Sequence, residues 1–83
     1  MRVRYFAWMK RIVGVPEETI DLPAGVATVG ELVTWLRDRS PGHAEALAEG
    51  AAFGAAVDQR TATFDVSIKG AGEVAFFPPF TGG

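Results

Sequence analysis

Apolar and polar residues alternate from Arg2 to Trp8, the period of a β-strand. Val3, Tyr5 and Ala7 fall on one face, which reads as core. Arg2, Arg4, Phe6 and Trp8 fall on the other, an exposed face that mixes charge with large aromatics. Lys10 to Val13 suits a short turn of helix closed by Gly14. Glu17 to Leu22, bounded by Pro16 and Pro23, predicts a second strand that pairs with the first as a hairpin with a long loop.

The period then changes. Thr28 followed three residues later by Glu31 has the spacing of a capping box. Val29, Leu32, Val33 and Leu36 follow at i, i+3, i+4 and i+7, one face of a helix. Trp35 borders that face, and Arg37, Asp38 and Arg39 lie in solvent. Ser40 as N-cap and Pro41 at the first helical position open a second, shorter helix, with Gly50 placed to end it. Ala55 to Asp58 and Thr61 to Phe64 are short strand candidates, and Gly70-Ala71-Gly72 is a turn. Glu73 to Phe77 predicts a last strand with Val74 and Phe76 on one face and Ala75 and Phe77 on the other. This order predicts an α+β domain of β-grasp (ubiquitin-like) fold, with a mixed sheet of about four to five strands packed against one main helix plus a short helix.

Length and composition bound the function. At 83 residues the chain is one domain with a modest core. It has no cysteine, so neither a disulfide framework nor a thiolate metal site is available, and sulfur could not be carried on a thiol side chain. The formal net charge of −2, with scattered signs, argues against nucleic-acid binding. Arg2, Arg4, Lys10 and Arg11 are the nearest approach to a basic cluster; they read as a solvated strand edge, with a docking surface as the alternative. No apolar run approaches membrane-spanning length, and the arginines near the N-terminus do not fit a signal peptide, so a cytoplasmic location is expected.

The end of the chain is unlike the rest. After Phe77 come Pro78, Pro79, Phe80, Thr81, Gly82 and Gly83. Two prolines cannot donate to a sheet ladder, so the strand stops, and they favour a stiff extended backbone. We therefore divide the chain into a folded domain, 1–77, and an extended tail, 78–83, with a reach of roughly 20 Å. Glycines without side chains let a terminal carboxylate enter a narrow channel in another protein. A Gly-Gly ending taken alone also fits a frayed end. Phe-Phe-Pro-Pro-Phe-Thr-Gly-Gly as a whole is more specific.

Glu73-Val74-Ala75-Phe76-Phe77-Pro78-Pro79 followed by Thr81-Gly82-Gly83 resembles the C-terminal signature of the small, sulfur-carrying subunit of molybdopterin synthase. The resemblance extends to Val3–Ala7 in the first strand, Leu32–Leu36 in the helix, Ala55–Asp58, Ile68 and Gly70–Glu73. Asp58 stands where that family usually has Asn, and Gly70-Ala71-Gly72 lacks the acidic residues common in its turn. The resemblance implies a carrier cycle. An ATP-dependent, E1-like adenylating enzyme activates the Gly83 carboxylate, and a sulfurtransferase system replaces AMP to leave a thiocarboxylate. The tail, Pro78 to Gly82, inserts into the large subunit of a heterotetramer, where sulfur passes to a pyranopterin precursor of the molybdenum cofactor. No cofactor or metal is expected on this chain itself; ATP belongs to the activating enzyme. A carrier for thiamin or another pathway, or a ubiquitin-like modifier conjugated through Gly83, shares the activation chemistry and stays open.

Other residues receive plainer readings. Phe6 and Phe77, if the first and last strands are neighbours, form a partner interface, with core packing as the alternative. Phe80 reads as a contact residue on the arm. Trp8, Trp35, Phe53 and Phe64 read as packing residues. His43, the only histidine, has no second ligand of its kind and reads as solvated. Asp58, Asp65 and Glu73 read as solvated or turn-capping groups.

Overall fold

The computed structural model describes residues 1–79. Phe80, Thr81, Gly82 and Gly83 lie outside the described residues. The elements run β1 (Arg2–Tyr5), α1 (Trp8–Val13), β2 (Glu17–Thr19), α2 (Val29–Arg37), α3 (Pro41–Ala46), β3 (Gly54–Val57), β4 (Arg60–Ala62) and β5 (Glu73–Phe77). The strands form one sheet in the order β2-β1-β5-β3-β4. Strands β1 and β5 lie parallel at its centre, with Val3 opposite Val74 and Tyr5 opposite Phe76. Every other neighbouring pair is antiparallel. This is the expected α+β arrangement.

Register fixes the two faces. Val3, Tyr5, Val74, Phe76 and Ala55 point to the core, where they meet Val29, Leu32, Val33 and Leu36 of α2. Tyr5 and Phe76 stack with ring centroids 6.1 Å apart, and Phe53 meets Phe76 edge-on at 5.9 Å. Met9 of α1, with Ala46 and Leu47 at the end of α3, closes the core on the other side.

The main helix starts where the capping box places it. Thr28 Oγ1 accepts from the Glu31 amide at 3.2 Å, and Glu31 Oε1 accepts from the Thr28 amide at 3.1 Å. The amides of Val29 and Gly30 donate to the carbonyls of Val66 and Phe64, so the first turn of α2 leaves no orphan donor there.

Several elements differ from their sequence reading. Strand β1 stops at Tyr5, because Ala7 turns to φ 54° and leads directly into α1. Trp8 therefore opens a helix instead of alternating on a strand face. Strand β2 ends at Thr19: after Ile20 and Met1 exchange hydrogen bonds, β1 offers it no further partner. Helix α3 ends at Ala46, well before Gly50, because the Leu47 carbonyl is taken by Arg37 Nε at 2.6 Å and the Leu47 side chain is fully buried. Asp58 is not in a strand. With Gln59 it makes the two-residue β3–β4 turn, both at positive φ as in a type I′ hairpin. Phe64 is not core but 47% exposed: its carbonyl is tied to the start of α2, and its ring lies 5.6 Å from that of Phe53.

Candidate functional site

The parallel β1–β5 pair brings Phe6 and Phe77 together. The β1–β5 ladder's last bond runs from the Phe6 amide to the Phe76 carbonyl at 3.1 Å, so Phe6 and Phe77 follow at adjacent positions on the two chains. With Ala7, Pro78 and Pro79 they line an apolar groove at the C-terminal end of both strands. Phe6 is 39% exposed and Phe77 half-buried. The alternation of β5 puts Phe77 on the face turned away from the helices, with Glu73 and Ala75. Ala7, at the turn into α1, lines the groove, and the two prolines end the strand ladder after Phe77.

The same open face continues into a charged half. Arg2 and Arg4 stand next to Glu73 and Glu17. Glu73 is buried, with Arg2 Nη2 at 2.7 Å and Arg4 Nη1 at 3.7 Å from its Oε1. It is thus an ion-pair centre, where sequence had suggested a solvated or turn-capping group. The Glu73 hydrogen bond and charge raise the Arg2 guanidinium further above its already high ordinary value. Arg2 and Arg4 do not lie at a sheet edge, because β2 covers that side of β1. Arg4 also lies over the Phe6 ring, its Cζ 4.9 Å from the centroid, a cation–π contact that joins the charged half to the groove.

Asp58 does cap a turn: its Oδ1 accepts from the amides of Gly72 at 3.0 Å and Glu73 at 3.1 Å. Asp65 accepts from Thr63 Oγ1, and that hydrogen bond holds its carboxyl below the usual range.

A second polar cluster lies between β2 and α3, and sequence reasoning missed it. His43 is buried, not solvated. Its Nε2 is 2.6 Å from Glu18 Oε2, and its Nδ1 is 2.7 Å from Ser40 Oγ. Tyr5 Oη donates to the same Glu18 oxygen at 2.7 Å, and Arg39 Nη2 reaches Glu18 Oε1 at 3.2 Å. A carboxylate only accepts, so Nε2 carries the proton that faces Glu18. Burial pushes the Glu18 carboxyl up, but the hydrogen bonds from His43 and Tyr5 and the charges of His43 and Arg39 outweigh it and hold the group below its usual value. Burial and the Glu18 hydrogen bond raise the Tyr5 hydroxyl far above the usual phenol range. The available signal was Ser40-x-x-His43, which lets the N-cap hydroxyl meet the ring one turn later.

The cluster joins β1, β2 and α3 and spends its donors and acceptors on one another. Among the described residues, no three Asp, Glu or His side chains are grouped to hold a metal ion. None of the described helices is long and apolar enough to cross a membrane.

The sequence pattern of the ThiS family matches residues 3–83. The molybdopterin synthase sulfur carrier subunit of Escherichia coli is 36% identical over 83 residues, covering 100% of this chain and 99% of that protein. Among solved structures, a Pyrococcus furiosus protein described as molybdopterin converting factor, subunit 1, superposes with a TM-score of 0.75 at 31% identity, covering 94% of each chain. SAMP1 of Haloferax volcanii superposes with a TM-score of 0.71 over 100% of this chain and 98% of its own, at 24% identity, a likeness of fold.

Proposed function

The chain belongs to the ThiS family, and we propose that it is the sulfur carrier subunit of a molybdopterin synthase. Its working group is the carboxylate of Gly83, at the end of a 78–83 tail that follows the 1–77 domain. The observation that carries this reading is the full-length likeness to a molybdopterin synthase sulfur carrier subunit at 36% identity. The placement of Pro78 and Pro79 supports it: they leave the sheet beside the apolar groove of Phe6 and Phe77, so a partner seated there would meet the root of the tail.

The chemistry is that of an activated acyl group. A carboxylate is a poor electrophile. Attack of a carboxylate oxygen on the α-phosphorus of ATP, in an adenylating partner enzyme, releases pyrophosphate and leaves an acyl-adenylate. A sulfurtransferase then delivers sulfur at the sulfide level: HS⁻ adds to the acyl carbon, the bond to the AMP oxygen breaks, AMP leaves, and the product is a thiocarboxylate. That group is a stronger acid than a thiol and is ionised at neutral pH, in its nucleophilic form. Inside the large subunit it gives up its sulfur to the pyranopterin precursor, and hydrolysis returns the carboxylate. The glycines present no side chain to a narrow channel, and Phe6 and Phe77 dock the domain.

Fragment mass spectrometry after incubation with ATP, the adenylating enzyme and a sulfur source tests this. The expected result is exchange of one oxygen for sulfur, confined to the Gly82–Gly83 fragment, and its loss on deletion of Gly83 while the circular dichroism spectrum is unchanged. Sulfur loading retained in the deletion variant would overturn the reading, as would an isopeptide bond from Gly83 to lysines as the main product.

A further inference from the structure

Strand β3 begins with a glycine that its backbone does not require. Gly54 lies outside the left-handed region, in contrast to Gly14, Gly50 and Gly70 at φ 101°, 85° and 76°. A glycine in a strand weakens it and frequently marks a close approach by another group. Here the approaching group is the Phe77 side chain. Gly54 and Phe77 are register partners across β3 and β5, so their side-chain positions share one face. A Cβ built on Gly54 would collide with Cε1 of Phe77 and lie 2.9 Å from Cζ and 3.1 Å from Cδ1. The ring therefore occupies the volume that a side chain at position 54 would fill. Ala56 and Ala75, the next pair on the same face, keep the neighbouring surface low.

We propose that Gly54 is a positioning residue for the docking groove: its missing side chain lets the Phe77 ring lie down across β3 and face Phe6, Ala7, Pro78 and Pro79. This rests on the reading of that groove as the surface that seats the large subunit. The three atoms nearest a methyl group at position 54 all belong to the Phe77 ring and none to backbone, so the ring is what gives way and the sheet stays intact. The groove then changes shape without loss of any lining residue, and the root of the tail meets the partner differently.

The test is a double-mutant cycle on the full-length chain, with Gly54→Ala, Phe77→Ala and the pair. Affinity for the cognate large subunit is read by calorimetry, melting temperature by circular dichroism. A nuclear Overhauser contact between the Gly54 α-protons and the Phe77 ring is expected in the unmodified protein, and its absence would overturn the proposal whatever any variant does. Gly54→Ala should weaken binding by about tenfold without lowering the melting temperature, and should have no further effect once Phe77 is Ala. Unchanged affinity in Gly54→Ala, with Phe77→Ala still weakened, would refute the role of Gly54 and leave the groove standing. Loss of affinity that persists additively in the double variant would refute it too. Unchanged affinity in both single variants would instead remove the docking reading itself.

Discussion

The same substitution at another glycine should act on the fold alone. Gly42 is the second residue of α3, where alanine would ordinarily stabilise a helix by up to about 1 kcal/mol. Here α3 crosses the last turn of α1. A Cβ at position 42 would collide with the Ile12 carbonyl oxygen and sit 3.2 Å from both Val13 Cα and Val13 O. All three are backbone atoms, so no rotamer change relieves the contact. Helix α1 would have to withdraw, and it carries Met9, which is fully buried, and Ile12 and Val13, which pack against the core. Overpacking of this kind costs roughly 1–3 kcal/mol. Taking a cost of about 2 kcal/mol from the middle of that range and subtracting a gain of about 1 kcal/mol leaves a net loss of about 1 kcal/mol, or about 4–8 °C in melting temperature for a domain of this size. A thermal melt of Gly42→Ala followed by circular dichroism checks it. A melting temperature equal to or above that of the parent would refute the close approach of the two helices.

Acid should expose the Glu18 cluster. The folded-state carboxyl is depressed, so its stabilisation is present above the unfolded value, about 4.3, and is lost as pH falls through the lower folded value. Urea midpoints measured from pH 7 down to pH 3 should fall for the parent, and Glu18→Gln should start lower and fall less; parallel curves would count against the assignment. Thr28→Ala removes the hydroxyl that accepts from the Glu31 amide and should cost about 1 kcal/mol in denaturant unfolding. No change there would mean that the Val66 and Phe64 carbonyls cap α2 by themselves.

The parts of the fold legible in sequence were those set by near neighbours. Thr28 and Glu31 are three residues apart, so their capping box could be read from spacing, and the apolar face from Val29 to Leu36 followed from the helical period. What stayed hidden was set by contacts distant in sequence. His43 looks like a lone polar residue until β2 brings Glu18, 25 positions away, to its ring. Glu73 looks like a solvated strand start until the parallel pairing puts Arg2, 71 positions away, on its carboxylate. Phe64 looks like core because it is large and apolar, but backbone hydrogen bonds to α2 hold it outward. The Phe6–Phe77 groove was half legible. Alternation gave the Phe77 face, while the adjacent placement of Phe6 and Phe77 needed β1 and β5 to be neighbours.

These contacts separate two kinds of residue that a composition would lump together. Glu18, His43 and Glu73 are the groups that a search for acid–base chemistry would pick first, yet each has its charge or proton engaged by a partner on this chain. A buried charge that loses its partner is costly, so removing His43 or Arg2 should lower stability before it alters any transfer of sulfur. Phe77 and Gly54 sit at the other extreme. Neither is titratable, and the ring of one fills the space left by the other, at a surface from which Pro78 and Pro79 depart. Plotting melting temperature against sulfur transfer for variants of both groups should therefore give two separate branches. Polar-cluster variants lose stability and keep their transfer rate per folded molecule, whereas groove variants keep their stability and lose transfer. A single common line would mean that the two charged clusters and the proposed docking groove are one functional unit.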